Sequence, residues 1–266
     1  MVKTISSLQN PFIKQLVQLK EKSKLRKQTG LFVIEGKREL SLAIKGNYSI
    51  ETLYFYADLF SAAEAAALET YGIDSIEITK AVYEKVAHRE TTEGVIAVAK
   101  SKDLGLKNLE LSSKNPLILV AESPEKPGNI GALLRSADAA NIEAVIIANP
   151  LTDLYNPNII RSSVGGVFTV PLATGTTPEI IDYLKQNKIA IYSAILQEAV
   201  IYDRIDFKAA SALVVGTESK GLSEEWREAA SAKVRIPMQG KLDSMNVSVA
   251  AAILLFEAKR QRKFKQ

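Results

Sequence analysis

Five short apolar runs in the second half of the chain limit its possible folds more than any other feature. They are separated mostly by helical patterns. The runs are Leu117–Val120, Ala144–Ile147, Ala190–Ile195, Ala212–Val215 and Val234–Ile236. This arrangement is typical of a parallel sheet whose two faces are covered by helices. The sequence therefore predicts an α/β fold with a parallel sheet in this half of the chain.

The first hundred residues predict a second, smaller α/β unit. Strand-like runs at Leu31–Glu35, Leu53–Tyr56 and Gly94–Ala99 alternate with helical stretches near 37–45 and 61–71. Alternation of this kind favours a mixed unit of strands and helices over an all-helical one.

A polar stretch lies between the two halves. Residues Ser101–Asn115 lack a long apolar run and contain Gly105, which favours a linker. The predicted organisation is one domain over residues 1–100, a linker over 101–115 and a second domain over 116–266.

The residue counts exclude several kinds of site. The chain of 266 residues has no cysteine and one histidine, His88, so disulfides, thiolate zinc sites, a cysteine nucleophile and a histidine-rich metal site are excluded. No apolar run approaches the roughly 18 residues of a membrane span, and Met1–Thr4 lacks the apolar region of a signal peptide. We therefore expect no metal, no membrane partner and a cytoplasmic location.

Basic residues are concentrated at the two ends of the chain, although the net charge is only +4. The first cluster belongs to a helix that is predicted to begin at Pro11, with Asn10 as its cap. The clustered cations are Lys14, Lys20, Lys22, Lys24, Arg26 and Lys27, and then Lys259, Arg260, Arg262, Lys263 and Lys265. Such clusters fit an electrostatic contact with phosphates and, equally well, solvated helix faces.

The first of three chemically suggestive segments runs from Glu122 to Asp138, directly after a predicted strand. Pro127 and Gly128 shape a turn, Asn129 is a candidate helix cap, and a helix N-terminus offers amide donors to an anion or ligand. Taken alone, the segment also fits an ordinary turn between a strand and a helix.

The second segment is Leu213–Ser223. It includes the end of a predicted strand and has one glycine on each side of Glu218, namely Gly216 and Gly221. Ligands of open α/β sheets bind beyond the carboxyl ends of the strands, which is where this loop is expected to lie. A solvent-exposed turn carboxylate is the alternative interpretation. Ser223, followed by two glutamates, is a candidate helix start.

The third segment, Ile236–Ile253, leaves a predicted strand and enters an apolar helix of small residues. Ser244 and Asn246 directly precede that helix. Asn246 is either a site residue or a simple helix cap.

Taken together and in this order, the three segments resemble the three motifs of the SpoU/TrmH family of RNA ribose 2'-O-methyltransferases. The motif residues are Pro127–Gly131 with Arg135, then Gly216–Leu222, and finally Ile236–Met238 with Ser244–Ser248. The resemblance spans roughly residues 117–257. The N-terminal half, above all Leu31–Ile44 and Gly94–Val98, looks like the family's ribosomal-protein-like substrate-binding domain, although Thr91–Glu93 replaces the Pro-Gln pair of many relatives.

The resemblance implies a specific site and architecture. The parallel-sheet domain is expected to be tied in a trefoil knot, to bind S-adenosylmethionine without a metal, and to form a homodimer that acts on RNA, with ribosomal RNA favoured as the substrate. The implied cofactor-binding residues are Gly216, Thr217, Gly221, Ile236, Met238, Leu242, Ser244, Met245 and Asn246. The implied catalytic residues are Arg135, Asn129, Glu218, Ser244 and Asn246.

Arg135 is the residue that the family resemblance assigns to activation of the ribose hydroxyl. A guanidinium is a pure hydrogen-bond donor, so holding a phosphate or stabilising a developing alkoxide demands less of it than accepting a proton. Asn129 and Arg135 are six residues apart, which leaves them roughly 240° apart around a helix. Their joint role therefore follows from the resemblance alone.

Three other functions remain open from the sequence. A transfer-RNA 2'-O-methyltransferase has the same motifs, and a non-catalytic RNA-binding or ribosome-associated protein fits the basic first helix. A nucleotide-dependent oxidoreductase fits the turn at Asn129, but the chain lacks the G-x-G-x-x-G pattern expected at that position.

Overall fold

A computed structural model describes residues 3–69, 71–87, 93–217, 220–242 and 244–264. Within these ranges the chain forms twelve strands and eleven helices. The strands are β1 (Lys3–Ile5), β2 (Leu31–Glu35), β3 (Ile50–Phe55), β4 (Asp74–Ile78), β5 (Val95–Lys100), β6 (Leu117–Glu122), β7 (Ala144–Ala148), β8 (Leu172–Gly175), β9 (Ala190–Ala194), β10 (Val200–Ile201), β11 (Ser211–Val215) and β12 (Ala232–Arg235). The helices are α1 (Pro11–Glu21), α2 (Ser23–Thr29), α3 (Lys37–Lys45), α4 (Ala62–Glu69), α5 (Lys80–Val86), α6 (Pro127–Ala139), α7 (Pro157–Ser162), α8 (Gly166–Thr169), α9 (Thr177–Gln186), α10 (Glu224–Ala229) and α11 (Val247–Gln261).

The chain divides into two compact units. The first contains Met1–Lys102 and Asp153–Thr169, and the second contains Asp103–Thr152 and Val170–Gln266. None of the helices in the described ranges is long and apolar enough to cross a membrane.

The first unit is built on a five-stranded mixed sheet with the order β1-β4-β3-β5-β2. β1, β4 and β3 run parallel, whereas β5 pairs antiparallel with both β3 and β2. The helix α1 begins at Pro11 as the sequence predicts, because the Asn10 side chain accepts a hydrogen bond from the Phe12 amide at 2.9 Å. Its buried residues Ile13, Leu16 and Leu19 cover the sheet.

Residues 153–169, which contain α7 and α8, complete the core of this first unit. The Tyr155 ring stacks on Phe32 with centroids 4.4 Å apart, and Phe168 packs edge-on against Tyr48 at 5.1 Å. Asp153 forms an ion pair with Arg26. The sequence predicts these residues within the second domain, 116–266, and their pattern gives no sign that they pack with the first hundred residues.

Several cations of the two basic clusters bind the protein's own backbone. Arg26 is buried and donates to the Leu19 carbonyl at 2.6 Å. Lys259 is buried and donates to the Asn141 carbonyl at 3.3 Å. Arg262 donates to the carbonyls of Asn115, Phe207 and Ala209 at 2.6 to 2.8 Å, and burial lowers the pKa of its guanidinium. For these three residues, neither a solvated helix face nor a phosphate contact describes the side chain.

The second unit is built on a seven-stranded sheet with the order β10-β12-β9-β11-β6-β7-β8, and every recorded pairing in it is parallel. All residues of β6, β7 and β11 are buried. Helices α6 and α11 pack together, and α11 lies against β11 and β6. Helices α9 and α10 contribute the fully buried residues Ile180, Leu184 and Trp226 to the core that packs on this sheet. The α/β fold with a parallel sheet is therefore confirmed.

The parallel pairing determines where the three segments meet. β6 and β11 are adjacent strands, and β12 lies two positions beyond β11. Parallel strands place their carboxyl ends at one edge of the sheet. The segments that follow β6, β11 and β12 therefore leave the sheet at the same edge.

Candidate active site at the carboxyl edge of the parallel sheet

The first and third segments are joined by a hydrogen bond between two asparagine side chains. Asn246 Nδ2 donates to Asn129 Oδ1 at 3.1 Å across a separation of 117 residues. Asn246 also caps α11, because its Oδ1 accepts from the Ser248 amide at 2.9 Å and from the Ser248 hydroxyl at 2.6 Å. Of the two interpretations of Asn246 from sequence, the helix cap is present, and the same side chain also contacts Asn129.

The prediction that Asn129 caps a helix is wrong. α6 begins two residues earlier, at Pro127, so Asn129 lies within its first turn. Proline favours the first position of a helix because its φ angle is already helical and its missing N–H needs no partner there. The side chain of Asn129 is thereby directed to Asn246 and not to the helix end.

The largest cluster of predicted site residues lines one cavity of about 330 Å³, which we call the main cavity. Of the nine predicted cofactor-binding residues, seven line it: Gly216, Thr217, Gly221, Ile236, Met238, Ser244 and Met245. Leu242 and Asn246 are not in its wall, and the Leu242 side chain is 75% exposed. The second and third segments thus surround a single space.

The residues after β9 are part of the same wall, and the sequence analysis missed them. Ala194–Gln197 line the main cavity together with Arg227, Arg235 and Leu254. β9 lies between β11 and β12, so the residues that follow it leave the sheet beside both motif loops. The available signal was a predicted strand ending at Ile195, but the order of the strands cannot be read from the sequence.

The loop after β11 has a backbone conformation that requires glycine. A Cβ atom on Gly216 would lie 2.3 Å from the carbonyl carbon and oxygen of Gly221. The two segments of the loop are paired, because the Thr217 amide donates to the Gly221 carbonyl at 3.2 Å and the Gly221 amide donates back at 3.0 Å. Gly221 has a φ of +67°, a region that side-chain-bearing residues disfavour. Glu218 itself lies outside the described residues.

A second space, which we call the side cavity, adjoins the main one. It measures about 260 Å³ and is lined by Ala121, Pro124, Glu125, Lys126, Asn129, Gly216, Thr217 and Val247. Three of these residues, Gly216, Thr217 and Val247, also line the main cavity. The two spaces therefore share a wall made from the second motif loop and the start of α11.

Arg135 lies apart from both cavities. It is on the exposed face of α6, six residues after Asn129, and it is absent from the lining of either space. Six residues of helix correspond to about 9 Å of rise. Within this chain the structure therefore joins Asn129 to Asn246 and places Ser244 in the wall of the main cavity, but it does not bring Arg135 to either cavity.

No metal centre accompanies this site in the part of the chain that the structure describes. Among those residues, no group of three or more His, Asp and Glu side chains is arranged to hold a metal ion. The cationic side chains around the main cavity are Lys220, Arg227 and Arg235. Arg227 donates to the Leu222 carbonyl at 3.3 Å, and Arg235 donates to the Ala199 carbonyl at 3.2 Å.

Comparison with known proteins identifies the same two regions. Residues 116–256 match the SpoU rRNA Methylase family, and residues 10–97 match an MRM3-like substrate binding domain. The 23S rRNA (guanosine-2'-O-)-methyltransferase RlmB of Ralstonia nicotianae is 36% identical, over 80% of this chain and 89% of its own. The 23S rRNA (uridine(2479)-2'-O)-methyltransferase of Streptomyces viridochromogenes is 30% identical, over 89% of this chain and 85% of its own.

Solved structures agree with this match. The AdoMet-bound rRNA methyltransferase of Sinorhizobium meliloti superposes with a TM-score of 0.88 at 29% identity, covering 97% of this chain and 98% of its own. The matched region 116–256 contains all three motif segments and both cavities' motif loops. The enzyme class inferred from the motifs is confirmed, and the chain belongs to the SpoU rRNA Methylase family.

Proposed function

We propose that this protein transfers the methyl group of S-adenosylmethionine to a ribose 2'-hydroxyl in ribosomal RNA. One observation carries the proposal: seven predicted cofactor-binding residues, from two motif loops, line a single cavity, and this cavity shares wall residues with the side cavity that Asn129 lines. The names of the matched relatives support ribosomal RNA over transfer RNA as the substrate.

The main cavity fits S-adenosylmethionine in size and chemistry. Its volume of about 330 Å³ falls in the range of roughly 300–1,000 Å³ that small-molecule sites occupy. The apolar side chains of Ile236, Met238 and Leu254 suit the adenine and the methylene carbons beside the sulfonium, while Ser244 and Arg227 offer donors to the polar ends. When bound, the cofactor supplies a methyl group on a positively charged sulfur.

The side cavity is our proposed position for the acceptor nucleotide. Thr217 and Val247 line both cavities, so the donor and acceptor spaces meet at these residues. Holding two reactants in a productive orientation can contribute roughly 7–11 kcal/mol to catalysis. The hydrogen bond from Asn246 to Asn129 holds the starts of α11 and α6 together at this boundary.

In this proposal Arg135 does not accept the proton of the ribose hydroxyl. Because a guanidinium only donates hydrogen bonds, we assign it to the phosphate of the target nucleotide or to the developing alkoxide. Its exposed position on α6 is compatible with a site that is completed by a second copy, and the proposal includes the homodimer. It also includes the trefoil knot in residues 116–266, the assignment of residues 1–100 to RNA binding, a contribution of Glu218 to the site, and a cytoplasmic location.

Calorimetry and methylation assays test the proposal in order. The purified protein is titrated with S-adenosylmethionine and is then incubated with the labelled cofactor and either ribosomal or transfer RNA. We expect binding of the cofactor and transfer of label to ribosomal RNA, at a position where 2'-O-methylation is found by mapping. Absence of cofactor binding would favour the alternative of a non-catalytic RNA-binding protein. Labelling of transfer RNA alone would favour the alternative of a transfer-RNA 2'-O-methyltransferase.

The base at the target position is left open by the relatives. One of them acts on guanosine and the other on uridine according to their names. Mapping the methylated nucleotide in the assay above identifies the base directly.

A further inference from the structure

We infer that Glu122 is a positioning residue that fixes the loop of residues 216–223 against the sheet and thereby sets the affinity for the methyl donor. The inference rests on the proposed function, in which this loop forms part of the cofactor site. Glu122 is the last residue of β6, and only 6% of it is exposed. A buried carboxylate is unfavourable unless its oxygens are hydrogen-bonded, so the contacts of this one indicate its role.

Three donors satisfy the carboxylate. The Ser223 amide donates to Glu122 Oε2 at 2.8 Å, and the Ser223 hydroxyl donates to Oε1 at 2.8 Å. The hydroxyl of Thr177 donates to Oε1 at 3.1 Å. The Ser223 amide can only donate and both hydroxyls donate here, so a carboxylate, whose oxygens only accept, satisfies all three partners in this arrangement.

The Thr177 hydroxyl is oriented toward Glu122 by a further contact. Asn149 Nδ2 donates to Thr177 Oγ1 at 2.9 Å, and the Thr177 amide donates to Asn149 Oδ1 at 3.2 Å. Since the hydroxyl accepts from Asn149, its single hydrogen is available for Glu122. The carboxylate is thus connected to the start of α9 as well as to Ser223.

Ser223 is where the loop ends. It directly precedes α10 but makes no side-chain capping bond there, because its hydroxyl is directed to Glu122. The predicted helix start at Ser223 is therefore correct in position and wrong in mechanism. The neighbouring residue Leu222 is buried and lines the main cavity, as do Gly216 and Gly221. Glu122 consequently anchors the carboxyl end of a loop whose described residues Gly216, Thr217 and Lys220–Leu222 line the main cavity.

A second carboxylate that is hydrogen-bonded to β6 provides a matched control. Glu143 Oε2 accepts a hydrogen bond from the Leu117 amide at 2.7 Å, at the opposite end of β6 from Glu122. Glu143 is absent from the lining of both the main and the side cavity. Each of the two carboxylates makes its hydrogen bonds at one end of β6, but only Glu122 contacts the cofactor loop.

The test compares E122Q, E122D and E143Q in the full chain. In E122Q an NH2 group replaces one accepting oxygen and faces a donor, so we expect the Kd and KM for S-adenosylmethionine to rise about ten- to hundredfold. The KM for RNA should change by less than about twofold, since loss of one buried hydrogen bond is a local effect. E122D keeps two accepting oxygens and should retain more affinity than E122Q. E143Q should keep the wild-type Kd and KM.

Thermal unfolding measured on the same samples separates positioning from general stability. Equal losses of Tm in E122Q and E143Q with an unchanged Kd in both would overturn the inference. If E122Q does not fold, S223A decides: it removes only the hydroxyl contact, and a Kd within twofold of wild type would again overturn it. Failure of the wild-type protein to bind S-adenosylmethionine would instead contradict the proposed function.

Discussion

Replacement of Gly216 by alanine tests whether the shape of the second motif loop determines cofactor binding. The added Cβ would lie 2.3 Å from the Gly221 carbonyl carbon and oxygen and 2.5 Å from the Leu222 amide nitrogen. All three are backbone atoms, which no side-chain rotation can move aside. The loop must therefore open, and the paired hydrogen bonds between Thr217 and Gly221 must lengthen.

The size of the effect follows from the cost of overpacking. Inserting one methyl group into a closely packed position typically costs about 1–3 kcal/mol. If that strain is relieved by opening the loop, the affinity for S-adenosylmethionine should fall about 5- to 150-fold. Calorimetry measures the Kd, and urea unfolding measures the accompanying loss in the free energy of unfolding.

Gly240 supplies the control for this substitution. It lies in the loop between β12 and α11, and a Cβ there would meet nothing within 4 Å. Gly240→Ala should therefore change the free energy of unfolding by less than about 0.5 kcal/mol and leave the Kd at its wild-type value. A Gly216→Ala protein with wild-type affinity would refute the argument that the closed loop forms the cofactor site.

Three further substitutions address the other parts of the protein. Arg135→Ala should abolish methylation while the calorimetric Kd for S-adenosylmethionine stays near wild type, and a full-rate enzyme would contradict the role assigned to Arg135. Asn246→Ala removes both the cap of α11 and the hydrogen bond to Asn129. The free energy of unfolding should fall by about 1 kcal/mol, and cofactor affinity and turnover should both fall. Unchanged kinetics would argue against a role of the asparagine pair in the site. Arg26→Ala leaves the Asp153 carboxylate, whose side chain is 9% exposed, without its ion-pair partner. Urea unfolding should then show a free energy of unfolding lower by roughly 3–5 kcal/mol. A loss below about 1 kcal/mol would show that the pair contributes no more than a surface ion pair.

The central strands of the parallel sheet could be predicted from sequence, and its edge strands could not. β6, β7 and β11 are buried along their whole length, and apart from Ser211 and Glu122 their residues are apolar. β8 contains Thr174 and Gly175, and β10 is only two residues long. A short strand at the edge of a sheet has one neighbour and little buried surface, so its sequence has no apolar run to detect.

The same limit applies to β1 and β4 of the first unit. β4 reads Asp-Ser-Ile-Glu-Ile and buries only its two isoleucines, and β1 has three residues. β1 is defined by its pairing with β4, a contact between residues more than 70 positions apart, and β4 in turn pairs with β1 and β3. Local pattern identifies strands that are apolar in themselves, whereas these two depend on their partner.

Charge patterns gave the least reliable interpretation, for a physical reason. Arg26 and Arg262 stand among lysines in the sequence, yet one pairs with Asp153 and the other donates to backbone carbonyls. A long cationic side chain can satisfy buried carbonyls that no neighbouring amide reaches. Sequence reports the charge but not the acceptor, so it cannot separate an internal cation from an RNA contact.

The candidate site follows from strand order more than from any single motif. β9, β11 and β12 are neighbours in the sheet but follow one another in the chain at different intervals. Because all three run parallel, Ala194–Gln197, the Gly216 loop and the loop at Met238 must leave at one edge and line one space. Any residue that follows β9 is therefore a candidate cofactor contact, even without a recognisable motif. Gln197 lines that wall and is exposed, so it can test this consequence of the fold. Gln197→Ala should weaken S-adenosylmethionine binding measurably while leaving the free energy of unfolding within about 0.5 kcal/mol of wild type. An unchanged Kd would limit the cofactor site to the motif loops.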